Sequence, residues 1–305
     1  MRKILFFGLF LWIAGIAAAQ ETFPFVQRDS TLYLDVYRPA TPRADHACVI
    51  NFFGGGFITG TRNDDYQHTL AKMLTERGYT VVCADYRLGL KNKAMVERYS
   101  SLTGARTLFQ WVIDIAAEDC AAACAWVVEH ASEIGVNPQR IVLTGSSAGA
   151  ITVLQMDYCR ANSLPPAAVL PAGWQPAAVV PYAGAIMCKG KPKWKTPPAP
   201  TMLLHGTKDK IVAYKRFPKL LRHALYGSDM VVKRMRRQNY PCWIVRIEGI
   251  GHEVASWQPQ SVDLFCTFVE MAFDGRISTF DATMTDKKLK PTKWSKMTVL
   301  DLYKN

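Results

Sequence analysis

The chain has 305 residues, 49% hydrophobic and 20% charged, with a formal charge of +12 at pH 7. This is ordinary globular composition, which excludes a disordered or collagen-like chain and leaves room for one large domain with a substantial core. The basic residues fall in local runs (Lys189 to Lys195, Lys233 to Arg237, Lys287 to Lys296) without the aromatic interleaving of a nucleic-acid binder, so they read as solvated surface facing anionic polymers or surfaces.

Residues 1–19 open the chain with Arg2 and Lys3, an apolar run from Ile4 to Ile16, and Ala17-Ala18-Ala19. That is the layout of a secretory signal peptide, with the mature chain expected near Gln20 and the protein secreted or periplasmic. The apolar run is shorter than the roughly 20 residues that span a bilayer. No cysteine stands at the expected mature N-terminus and no later segment is long and apolar enough to cross a membrane, so neither a lipid anchor nor another stable membrane anchor is expected.

Residues 32–37 alternate, with Leu32, Leu34 and Val36 on one face. Residues 47–53, 79–84, 140–144, 177–181, 201–205 and 243–247 are nearly continuous apolar runs, the pattern of strands buried on both faces. Helical spacing covers residues 66–77, 118–134, 215–237 and 261–273, and Gly135 ends the second of these. The alternation predicts an α/β fold, a doubly wound and mostly parallel sheet flanked by helices, over residues 20–273. Residues 88–116 have weaker periodicity and read as a small cap insertion or an elongated helical approach. Residues 274–305 form a polar, lysine-bearing tail of open structure. Eight cysteines could pair, but Cys48 and Cys83 fall in buried strands where free cysteine acts as a small hydrophobe. No Cys or His spacing suits a zinc site, and no metal is expected.

One strand ends in Thr144-Gly145-Ser146-Ser147-Ala148-Gly149-Ala150, and a helical pattern follows. This is the setting of a nucleophile elbow: Ser147 sits on a sharp strand-to-helix turn, and a glycine two residues to either side keeps the elements from colliding. A serine hydroxyl needs a base to take its proton, and histidine suits that role. Of six histidines, His46, His68, His130 and His223 read as surface or helix positions. His205 ends a strand and is a rival. His252 lies in a glycine-flanked loop after the last long strand and comes after the nucleophile, in the order serine, acid, histidine. Asp209, just past a buried strand, is the acid expected to orient the ring; Asp229 and Glu248 are the alternatives.

Taken together, the chain resembles an α/β-hydrolase-fold carboxylesterase, close to the exported esterase and lipase group with a glycine-rich oxyanion motif. The resemblance spans most of residues 30–273. It rests on Phe53-Gly54-Gly55-Gly56-Phe57, Asp85-Tyr86-Arg87-Leu88, residues 145–149, His205-Gly206-Thr207-Lys208-Asp209 and Gly251-His252-Glu253. It implies that Asp85 to Leu88 stabilise a turn and that the triple glycine forms an oxyanion hole. There the N–H groups of Gly55 and Gly56 join that of Ala148, because glycine lets bare backbone approach a reacting carbonyl. The family usually has histidine where Phe53 stands, so the loop's support must come from elsewhere. The resemblance further implies a serine ester hydrolase without metal or cofactor, acting on small-molecule or polysaccharide-linked esters such as acetyl or feruloyl groups. A serine peptidase of the same fold and an inactive carbohydrate- or partner-binding homologue are the alternatives. Phe57, Tyr86 and Trp257 are candidates to line an aromatic-friendly acyl pocket, with core packing as the other possibility.

Overall fold

The apolar runs pair edge to edge in a computed structural model that describes residues 20–99, 101–218, 223–299 and 301; the leader expected over residues 1–19 lies outside them. In chain order the elements begin with β1 (Gln20–Gln27), β2 (Thr31–Tyr37), β3 (Cys48–Phe52), α1 (Asp65–Thr75), β4 (Thr80–Ala84), α2 (Lys93–Arg98) and α3 (Leu102–Glu129). Next come α4 (Ala131–Ile134), β5 (Ile141–Ser146), α5 (Ala148–Asn162), β6 (Ala178–Tyr182), β7 (Ala185–Lys189) and β8 (Thr201–Gly206). Last are β9 (Arg216–Phe217), β10 (His223–Gly227), α6 (Ser228–Arg237), β11 (Cys242–Ile247), α7 (Val262–Phe273) and β12 (Phe280–Met284).

The main sheet runs β1-β2-β4-β3-β5-β6-β8-β11-β12. The β1, β2 and β4 pairings are antiparallel, and every pairing from β4 onward is parallel. Alternate residues of one strand feed opposite cores. Cys48, Ile50 and Phe52 point into the layer filled by α3, α5 and α6, while Val49 joins Leu70, Leu74, Phe265 and Phe268 beneath α1 and α7. Each such fully buried side chain contributes roughly 1.5–3 kcal/mol, which is why these strands read as unbroken apolar runs. All eight cysteines are free, seven of them buried, so packing rather than cross-linking holds the layers.

One expectation changes, and the stretches left open take definite form. Residues 215–237 are not one helix: β9 and β10 form a second, antiparallel sheet with β7, and only α6 is helical. His223 therefore sits on a strand, its Nε2 2.6 Å from Gln110 Oε1. Of the weakly periodic stretch 88–116, residues 93–98 form the short α2 and residues from Leu102 on open the 28-residue α3. The tail is integrated, since β12 extends the main sheet by pairing parallel with β11. At the start of the chain, β1 adds an edge strand where none was expected.

Candidate active site

Because β3, β5, β8 and β11 are parallel, the loops after them share one edge of the sheet. Those loops carry Gly54 to Gly56, Ser147, Asp209 and His252. The strand order also reverses here: β4 lies on one side of β3 and β5 on the other, which opens the crevice where ligands of such sheets gather.

Ser147 has φ 53° and ψ −113°, a conformation that side-chain-bearing residues seldom adopt. The turn that forces it is crowded. A Cβ on Gly149 would come within 2.0 Å of the Phe52 carbonyl oxygen, and one on Gly145 within 2.5 Å of the Gly149 carbonyl carbon. Both glycines are therefore steric requirements. Ala148, first residue of α5, has no partner for its N–H within the helix.

The three predicted side chains meet. Ser147 Oγ lies 2.8 Å from His252 Nε2, and His252 Nδ1 lies 2.8 Å from Asp209 Oδ2. Asp209 Oδ1 accepts the Ile211 and Val212 N–H groups at 2.9 and 3.0 Å. Burial alone would push the Asp209 carboxyl up; electrostatic interaction and hydrogen bonding with His252 and His205 outweigh it and hold it far below the usual carboxylate range. An ionised Asp209 fixes the tautomer with Nδ1–H donating to it and Nε2 free to accept the Ser147 proton. Of the rivals, His205 lies beneath Asp209 rather than beside Ser147, and Asp229 is bonded to Lys233 at 2.8 Å.

The glycine loop follows with Gly55 at φ 126° and Gly56 at φ 63°. A Cβ on Gly55 would collide with the Thr59 carbonyl at 2.0 Å. In place of the histidine brace, Phe53 stacks on the Tyr86 ring at 4.6 Å between centroids. The Tyr86 hydroxyl donates to the Phe53 carbonyl at 2.9 Å. Tyr86 is thus a support for the loop and not a pocket wall.

Two cavities meet at Ser147. One of about 280 Å³ is lined by Gly54 to Gly56, Ile58, Ser147, His252 and Trp294 among others. The second, about 40 Å³, lies on the Ala148 side, lined by Phe57, Ile113, Ile151, Ile211, Leu225 and Val299 with Gly56, Ser147 and Ala148. Phe57 lines the second cavity and is at the same time buried in the core. Trp257 does not: it lines neither cavity and packs instead against the core beneath α1 and α7, because the short turn after His252 directs it away from Ser147. Sequence reasoning missed Trp294, which belongs to the tail and has no motif to announce it. Among the described residues no cluster of three or more His, Cys, Asp or Glu could hold a metal ion.

An α/β-hydrolase fold with a serine, a histidine and an aspartate in hydrogen-bonded sequence defines the class. The family model described as Carboxylesterase family matches residues 16–173, just over half of the sequence, and the chain belongs to that family. It is 36% identical to Lipase 2 of Moraxella sp. (strain TA144) over 107 residues, 34% of this chain and 20% of the relative. With Acetylcholinesterase of Danio rerio it shares 31% identity over 129 residues, 42% of this chain and 19% of that protein. These matches thus span about a fifth of the relatives' length. Among solved structures, a thermophilic esterase from Thermogutta terrifontis superposes with a TM-score of 0.58 at 21% identity, covering 86% of this chain and 94% of that one, a likeness of fold.

Proposed function

We propose that the protein is a serine carboxylic-ester hydrolase working through an acyl-enzyme. The observation that carries this reading is the continuous Ser147–His252–Asp209 hydrogen-bond chain. The Ser147 Oγ attacks the ester carbonyl while its proton passes to His252 Nε2. Asp209 stabilises the imidazolium. The developing oxyanion is held by the N–H groups of Gly55, Gly56 and Ala148, each typically worth roughly 2.7–4 kcal/mol in such a hole. Collapse expels the alcohol, which takes the proton back from His252, and water then releases the acid by the same route.

Proton return fixes which cavity holds which half of the ester. The leaving oxygen must face His252 Nε2, so the alcohol occupies the larger cavity, which His252 lines. The acyl group then enters the apolar cavity beyond Ala148. At about 40 Å³ against about 280 Å³ on the His252 side, it is the smaller of the two cavities. Its smaller size favours a short acyl group such as acetyl over a feruloyl ring. Acetyl esters, including those on carbohydrates, are therefore the favoured substrates over feruloyl esters. Export remains part of the proposal through the leader pattern of residues 1–19, and cell fractionation tests it.

Turnover by Ser147→Ala on a small activated acetate tests the reading. A loss of about 10⁶ is expected; a folded variant retaining near-wild-type rate contradicts it.

A further inference from the structure

Residues 292–299 lie outside the family match and cross the catalytic loops. Glu253, the neighbour of His252, receives four donors. They are the Gly251 N–H at 2.9 Å, the Thr292 N–H and hydroxyl at 2.7 Å each, and the Ser295 hydroxyl at 2.8 Å. Contact is close enough that a Cβ on Gly251 would come within 2.4 Å of Ser295 Cα. Further on, the Val299 N–H donates to the Lys210 carbonyl at 3.2 Å, one residue past Asp209. The segment is thus fixed to both loops that complete the site.

Between those anchors the turn at residues 293–295 presents Trp294. Thr292 caps that turn, its hydroxyl accepting the Trp294 N–H at 3.2 Å. The indole is 39% exposed and lines the same cavity as Ser147 and His252. A single exposed apolar side chain is unremarkable by itself. One held by a charged buckle against a catalytic loop, and facing the nucleophile's cavity, has a position that burial does not account for.

We propose that Trp294 is a specificity-determining residue, a flat platform on which the ring of the leaving alcohol stacks. The inference rests on the ester-hydrolase reading, and on the alcohol lying on the His252 side. The chemistry recognised is a ring with an apolar face, met in a pyranose or in an aryl alcohol. A straight-chain alcohol has no such face to offer.

The test uses the full chain, wild type, Trp294→Ala and Trp294→Phe, with ethyl acetate, phenyl acetate and an acetylated methyl xylopyranoside. Relative to ethyl acetate, Trp294→Ala lowers kcat/KM on a ring alcohol about fivefold to tenfold, mostly through KM, and Trp294→Phe recovers most of the loss. A selective loss on phenyl acetate alone assigns the platform to aryl alcohols, and one on the xyloside alone assigns it to sugars. An equal loss on all three substrates, or none, overturns the proposal. Competition against ethyl acetate in the wild type provides a reading independent of variant folding: methyl xyloside or phenol inhibits more strongly than ethanol, and equal inhibition contradicts the platform. These outcomes are separate from the hydrolase reading, which fails only if hydrolysis does not depend on Ser147.

Discussion

His205 Nε2 lies 3.2 Å from Asp209 Oδ2, the oxygen that also accepts His252 Nδ1–H. Its ring is fully buried, with Nε2 also 2.9 Å from the Val212 carbonyl and Nδ1 2.8 Å from Ser228 Oγ. Nε2 faces both the Asp209 carboxylate and the Val212 carbonyl, and Nδ1 meets the Ser228 hydroxyl. His205 is thus a positioning residue that acts through Asp209. We expect His205→Phe, which fills the space without a donor, to lower kcat about tenfold with little change in KM. It should also destabilise the fold by about 1–3 kcal/mol, the usual cost of unmet buried polar groups. Steady-state kinetics beside thermal melts check this, and an unchanged kcat contradicts it.

With Phe53 in place of a histidine, Tyr86 supplies the loop's support. Removing its hydroxyl in Tyr86→Phe leaves the stacking intact but frees the Phe53 carbonyl. Stability should fall by about 0.5–1.5 kcal/mol. Turnover should fall more than substrate affinity, because the loop ahead of Gly55 and Gly56 loses a fixed point. Equal kcat for variant and wild type would show the ring alone to be sufficient.

The Glu253 buckle carries a pH dependence. Partial burial pushes its carboxyl up, but the Thr292 and Ser295 donors outweigh this and hold it below the ordinary value of 4.5. A carboxyl with a depressed folded pKa contributes stability above its unfolded value and loses it as pH falls through the folded one. Glu253→Gln should therefore be less stable than wild type by about 1 kcal/mol at neutral pH. That gap should close as pH falls below 4.5. Denaturant midpoints across that range measure it, and a gap that stays constant contradicts the buckle.

Legibility followed how local each signal is. The elbow at Ser147 is written within five residues, since two glycines and a strained serine must be adjacent for the turn to close. Asp209 and His252 were legible through chain order, because each terminates a strand of a parallel sheet and so arrives at the same edge. Runs such as Val49 to Phe52 showed their burial because both faces are covered. Residues 215–227 misled because β10 pairs with β7 and β9 pairs with β10, partnerships that no local periodicity encodes. Trp294, Glu253 and β12 act through contacts made only when the tail folds back. Trp257 was misplaced for a related reason: lying near His252 in sequence does not fix the direction in which a side chain leaves the turn.

In the proposed mechanism Ser147 is a nucleophile activated by His252 and Asp209. Intact-mass and peptide spectrometry after exposure to a fluorophosphonate checks this. A single adduct is expected, mapped to Ser147 and lost in Ser147→Ala. Folded protein that takes no label, or takes it on another residue, contradicts the mechanism.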